Sequence, residues 1–300
     1  MHQRHNIMNP LDLVRLSWLM ERGSGRPEIK VAMVDGPVAL DHQELFGTPI
    51  REIAGEVKGA CRLADSAACG HGTSVAGMLS ARRGSVAPAI CPACTLLLRP
   101  IFAEVRNGKG LMPSATPEEL AEAIVDCVDA GAHVINLSSA LVQPSPKGKC
   151  ELEGALRYAA HRCVLIVAAA GNQGMVGSSA ITSHPWVIPV AACDIKGRPL
   201  TQSNFGGSIG KRGLIAPGEG VTTLGTSGKP QVFGGTSAAA PFVTGTIALL
   251  WSEFPDASAA QIKLAVTYSG GPRRATITPP VLDAWAAYHA MASVRGGKWS

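Results

Sequence analysis

Short, mostly apolar runs rich in Val, Ile, Leu and Ala, each the length of one strand, recur along this 300-residue chain with helical patterns between them. They lie at 29–34, 95–101, 133–137, 164–168 and 187–191 and read as strands covered on both faces. Patterns suited to helices occupy 72–80, 116–130, 152–161, 237–252, 258–268 and 280–292. This alternation restricts the chain to an α/β fold of three layers, a central mainly parallel sheet with helices on both faces. Leu11, Val14, Trp18 and Leu19 predict a further helix over 10–21, ended by Gly23-Ser-Gly25 and packed on the core. Thr116-Pro-Glu-Glu119 predicts a helix start with proline in the first turn and a capping-box glutamate. Segments 139–149 and 200–213 read as surface loops. With no repeat or long linker, the expected organisation is an N-terminal helix within 1–25, one domain over 26–294 and a tail at 295–300.

A chain that is 46% hydrophobic and 16% charged can bury one large core. Its formal charge of +5 is small for this length, and Arg82-Arg83, Lys211-Arg212 and Arg273-Arg274 are isolated pairs, so no nucleic-acid partner is expected. No apolar stretch has the length of a membrane span. The first residues lack the apolar centre of a secretory signal, which predicts a cytoplasmic location. A reducing compartment argues against most pairings of the eight cysteines. Cys61 with Cys69, and Cys91 with Cys94, are spaced for local disulfides or a shared zinc ion, but no nearby histidine completes a familiar ligand spacing and no metal or other cofactor is expected. Cys127 and Cys163 sit in apolar runs and read as buried.

Phe233-Gly-Gly-Thr-Ser237 places a serine on a Gly-flanked turn where an Ala-rich helical pattern begins. The glycines allow close approach of a ligand, and the helix start directs free amides and a positive dipole end at it. Upstream, Asp35 directly follows a buried strand, at the strand edge where open α/β sheets bind ligands. His71 lies in Gly70-His71-Gly-Thr73 at a predicted helix start. An aspartate fixes the histidine tautomer that accepts a proton from serine, then stabilises the imidazolium formed. The run 165–170 leads from a strand into Gly171 and Asn172, whose side-chain amide can join the Ser237 backbone N–H in binding an oxyanion.

Asp35, Gly70-His71-Gly-Thr, Ala170-Gly-Asn172 and Gly235-Thr-Ser237-x-Ala-x-Pro241 together resemble the four signatures of subtilisin-like serine proteases, and their chain order is that of subtilisin. Val134-Ile-Asn-Leu-Ser138, Ser203-Asn-Phe-Gly206 and Leu214-Ile-Ala-Pro-Gly218 fall in order between them, so the resemblance covers nearly the whole chain. It implies a triad of Asp35, His71 and Ser237, with Asn172 as oxyanion donor. It also implies Ser138, Ser139 and Ala140 as an edge strand pairing with a peptide substrate, and Ala169, Ala170 and Gly171 beside it. Most relatives follow the aspartate with Ser or Thr, whereas this chain has Asp35-Gly-Pro-Val38. That segment, together with Ala130-Gly-Ala-His-Val-Ile-Asn136, Ala168-Ala-Ala-Gly-Asn-Gln-Gly174 and Ile215-Ala-Pro-Gly-Glu219, resembles the cyanobactin-maturation proteases. The subgroup implies removal of a leader from a ribosomally made precursor peptide. Further histidines common in the family are Ser74 and Phe242 here, and Ala140 replaces a usual glycine, narrowing that subsite. The loop at 81–88 offers no carboxylate for calcium, and only thirty-four residues precede Asp35, so neither calcium dependence nor a folding prodomain is expected. The competing readings are a general intracellular protease with the same triad and a peptide-binding protein that has lost the chemistry.

Overall fold

The computed structural model describes residues 9–105, 114–138, 148–268 and 276–296. Strands β1 (Lys30–Asp35), β2 (Ile50–Glu52), β3 (Thr95–Pro100), β4 (Val134–Leu137), β5 (Leu165–Ala169), β6 (Val187–Cys193) and β7 (Leu214–Pro217) form one sheet in the order β2-β3-β1-β4-β5-β6-β7. Every neighbouring pair in it is parallel. A separate antiparallel hairpin, β8 (Val221–Leu224) with β9 (Pro230–Phe233), precedes the buried helix that carries Ser237. The helices are α1 (Pro10–Leu13), α2 (Leu16–Arg22), α3 (Ala67–Ser80), α4 (Pro117–Asp129), α5 (Lys149–His161), α6 (Ala180–Ser183), α7 (Gly207–Arg212), α8 (Thr236–Glu253), α9 (Ala259–Tyr268) and α10 (Ala284–Gly296).

Alternate strand residues enter opposite cores, as the two-residue period of a strand requires. Val31, Met33, Leu96, Leu98, Leu165 and Val167 pack on the face holding α3, α8 and α9. Ala32, Val34, Leu97, Ile135, Ile166 and Ala168 pack under α4 and α5. The α/β three-layer expectation therefore holds. From β1 the chain adds β2 and β3 on one side and β4 onward on the other, so the order reverses between β1 and β4. A crevice for ligands forms at the C-terminal ends of strands at such a reversal.

Local signals are realised where they rest on a specific interaction. Thr116 and Glu119 make both capping-box hydrogen bonds, at 3.1 and 2.7 Å, with Pro117 at the first position of α4. The single helix expected over 10–21 is instead two, because Arg15 adopts a left-handed backbone with φ of 52°. That turn lets buried Val14 accept a hydrogen bond from Ala284 N–H and lets the Arg15 guanidinium pair with Asp283 at 2.9 Å. Periodicity in α2 is satisfied either way, so the break has no sequence signature beyond its tertiary partner. Segment 200–213 contains α7, and Lys149 opens α5, leaving 139–147 outside the described residues.

The cysteines divide. Cys61 and Cys69 form a disulfide with a Cα–Cα distance of 5.7 Å. Cys91 and Cys94 are both buried and free. Cys127 is buried as expected, and its desolvation pushes the thiol well above its ordinary range. The expectation for Cys163 is corrected: it is exposed, with φ of 58°, because it turns the chain out of α5 one residue before the buried run begins. Among the described residues, no helix is long and apolar enough to cross a membrane.

Candidate active site

Asp35 ends β1 with its carboxylate fully buried. Oδ1 accepts the N–H of Gly36 at 2.7 Å and meets His71 Nδ1 at 2.7 Å. Oδ2 faces no hydrogen-bond donor among the described residues, so the carboxylate is fixed through one oxygen. The imidazole it holds sits on the fifth residue of α3, with only 13% of its side chain exposed, and the edge of the ring rests on Phe233 at 5.1 Å between centroids.

Two glycines allow the carboxylate and imidazole to meet. A Cβ on Gly36 would lie 2.1 Å from the Ala68 carbonyl oxygen, and one on Gly72 would lie 2.4 Å from the carbonyl oxygens of Gly36 and Pro37. Backbone therefore packs on backbone where the β1 loop crosses the start of α3. This explains Gly36 in place of the more common hydroxyl residue: no side chain fits. Thr73 Oγ1 adds a hydrogen bond from Ala39 N–H at 3.0 Å.

Ser237 is the second residue of α8, and its hydroxyl donates to the Ser138 carbonyl at 2.5 Å. β4 is paired with β1 through Leu137 and Val34, so Ser138 and Asp35 follow side by side at the sheet edge. The three residues singled out as a triad thus converge on one edge, with the serine hydroxyl turned to Ser138 and not to the imidazole. Ser138 is itself pinned: Asn136 Nδ2 donates to its Oγ at 2.6 Å, and Thr244 Oγ1 donates to Asn136 Oδ1 at 2.7 Å, all fully buried.

Asn172 sits opposite. Its Oδ1 accepts both Thr236 N–H at 2.9 Å and Thr236 Oγ–H at 3.1 Å, which fixes the flip of the amide and leaves Nδ2 as its donor. Gly235 has φ of 75°, and a Cβ there would lie 2.8 Å from the Asn172 amide, so glycine is required for both conformation and space. The Ser237 N–H is in the first turn of α8 and has no intrahelical acceptor. Two donors are thereby presented beside the serine, an arrangement able to bind a developing negative charge.

Two residues in this site carried no role at the level of sequence. Thr236 orients Asn172 as above. Asn204 binds the loop that carries Asn172: Nδ2 donates to Ala170 O at 3.1 Å, and Oδ1 accepts the N–H groups of Gln173 and Met175 at 3.1 and 3.0 Å. The signal was the Ser203-Asn-Phe-Gly206 segment, a family-like motif with no evident chemistry. Ala169 and Ala170 are buried at the end of β5, and Gly171 turns the chain with φ of 102°. Ser139 and Ala140 lie outside the described residues. Ser74 is buried and donates to Leu224 O, and Phe242 is fully buried in the core, so neither position faces the site. Among the described residues, the one grouping of metal-type ligands is Cys61, Cys69 and Glu104, and there the two sulfurs are bonded to each other.

A model of the subtilase family matches residues 27–273. Among solved structures, a serine-to-alanine variant of the protease domain of PatA superposes with a TM-score of 0.82 at 31% identity, covering 92% of this chain and 98% of that one. The prenylagaramide maturation protease PagA follows at a TM-score of 0.80 and 28% identity, covering 92% and 98%. A thermostable alkaline protease of Halalkalibacterium halodurans is 32% identical over 208 residues, 68% of this chain and 54% of that protein. The chain spans about half the length of the first curated relatives it matches.

Proposed function

Because the chain belongs to the subtilase family, we propose that it is a serine endopeptidase with Ser237 as nucleophile, His71 as general base and Asp35 as the group that orients the base. The observation that carries this reading is the 2.7 Å contact between Asp35 Oδ1 and His71 Nδ1 at the sheet edge where Ser237 reaches Ser138. On substrate binding the hydroxyl turns from the Ser138 carbonyl to the imidazole, loses its proton to His71 and attacks the scissile carbonyl. Asp35 stabilises the imidazolium, and Asn172 Nδ2 with the Ser237 N–H receives the oxyanion. His71 then returns the proton to the leaving amine, and water completes the second half of the reaction.

For substrate, we propose a ribosomally made precursor peptide from which a leader is removed. Its support is the likeness over nearly the full chain to the PatA protease domain and to a maturation protease, together with the Asp35-Gly-Pro-Val38 segment. The substrate backbone pairs with residues 138–140 by strand addition, beside 169–171. Similarity to alkaline proteases favours a second reading, broad-specificity proteolysis with the same triad. Incubation with a precursor peptide and with unfolded casein, read by mass spectrometry, separates the two: one cut at a leader boundary supports the first, general digestion the second. Ser237→Ala is expected to abolish cleavage, by a factor on the order of 10⁶ as in subtilisin. Cleavage retained by that variant overturns the triad.

A further inference from the structure

The Cys61–Cys69 bond ties the helix that carries His71 to a segment hydrogen-bonded to the loop that follows Asp35. Cys69 lies two residues before His71, in the first turn of α3. Cys61 belongs to a short extended segment paired with the loop after β1: Val38 N–H donates to Gly59 O at 2.8 Å, and Cys61 N–H donates to Val38 O at 2.9 Å. Val38 is three residues beyond Asp35. The crosslink therefore closes a ring through the Asp35 loop, the 59–61 segment and the His71 helix, around the glycine contacts that set the carboxylate against the imidazole. Glu104 holds the remaining side of the loop, accepting Arg62 N–H and Leu63 N–H at 3.0 and 2.8 Å.

The two sulfurs differ in their surroundings. Cys69 is fully buried at the positive end of α3, and Cys61 is partly exposed. Exchange needs access to the attacked sulfur, so Cys61 is the sulfur open to attack and Cys69 the one that leaves. The one carboxylate facing them, Glu104, is itself held by the two backbone N–H groups.

We propose that Cys61–Cys69 is a thiol–disulfide exchange site whose oxidised form positions Asp35 against His71, so that the enzyme is fully active only with the bond closed. The partner is a low-molecular-weight thiol and its disulfide, such as glutathione. Its thiolate attacks Cys61 Sγ, forming a mixed disulfide as the Cys61–Cys69 bond breaks, and the electron pair leaves on Cys69 Sγ, which takes a proton from water. A second thiolate attacks the mixed disulfide at the glutathione sulfur, releasing Cys61, so two thiols are oxidised as one disulfide is reduced.

The inference rests on the peptidase reading, and its test keeps the two apart. In a Cys150→Ser/Cys163→Ser background, which removes the exposed free thiols, the oxidised protein is first shown to cleave a peptide in a Ser237-dependent way. Reduction verified by the gain of two titratable thiols is expected to lower kcat on the order of tenfold. KM should stay within about twofold, and oxidised glutathione should restore the rate. Adding Cys61→Ser/Cys69→Ser should give the low rate permanently, with no response to either reagent. The second readout needs no substrate: the downfield proton resonance of His71 Nδ1–H against Asp35 should broaden or shift on reduction and return on oxidation. Unchanged kcat and an unchanged resonance overturn the proposal, as does loss of cooperative folding on reduction, which makes the bond a staple of the whole domain. Absence of cleavage by the oxidised protein sinks the peptidase reading alone, because the resonance still reports on the positioning.

Discussion

Asn172 carries the clearest prediction at the scale of single residues. Its amide flip is fixed by two bonds from Thr236, so the donor it presents is already oriented before any substrate arrives. Preorganised donors act where charge develops, so Asn172→Ala should lower kcat by about 10²–10³ with little change in KM. Steady-state kinetics on a cleaved peptide checks it, and a raised KM with unchanged kcat would point to ground-state binding instead. The placements of Asp35, Asn172 and Ser237 at strand and helix ends were legible in sequence because each sits in a short segment whose glycines and flanking strand or helix reveal its position. Thr236 and Asn204 were not, because their work is to orient other groups, and a hydrogen bond to a neighbour 29 or more residues away leaves no local pattern. The resting direction of the Ser237 hydroxyl is likewise set by a carbonyl 99 residues away, just past the end of β4.

At the scale of elements, the contact between the β1 loop and α3 decides whether the Asp35 carboxylate reaches its partner. Gly72 faces two backbone oxygens that cannot move aside as a flexible side chain would. Gly72→Ala is therefore expected to cost about 1–3 kcal/mol of stability as the helix is pushed off the loop. That corresponds to a fall in Tm of about 2–4 °C per kcal/mol for a domain of this size. Thermal melting followed by circular dichroism measures the fall, and kcat for the folded variant should drop beyond what Tm explains. Helix periodicity marks α3 only from residue 72, five residues after its actual start, since Ala67, Ala68 and Cys69 resemble loop residues apart from their packing at the sheet edge. The break between α1 and α2 escaped for the same kind of reason, an Arg15–Asp283 pairing across 268 residues.

Across the whole molecule, distant elements also tune charge. Lys263 on α9 donates to Pro185 O at 2.6 Å and lies over the Trp186 ring at 4.8 Å. Burial, with Arg212 nearby, brings its pKa down to about 8. Below pH 8 the ammonium is charged in both the folded and the unfolded chain, and its desolvation weighs against folding. Between about pH 8 and the unfolded value of 10.5, the folded lysine has lost its proton while the unfolded one keeps it, so stability rises with pH across that window. Denaturant midpoints should therefore climb from pH 8 to 10 in this chain relative to Lys263→Met, and parallel curves would refute the shift. By itself the sequence determined the α/β class, the five inner strands and the four signature segments, because buried-strand composition, helix periodicity and glycine-flanked turns are local properties. Tertiary structure alone decided the sheet order, the β2, β7 and β8–β9 strands, the exposure of Cys163 and the closing of Cys61 onto Cys69. Each of these depends on which distant surface a segment packs against, and no run of neighbouring residues encodes that choice.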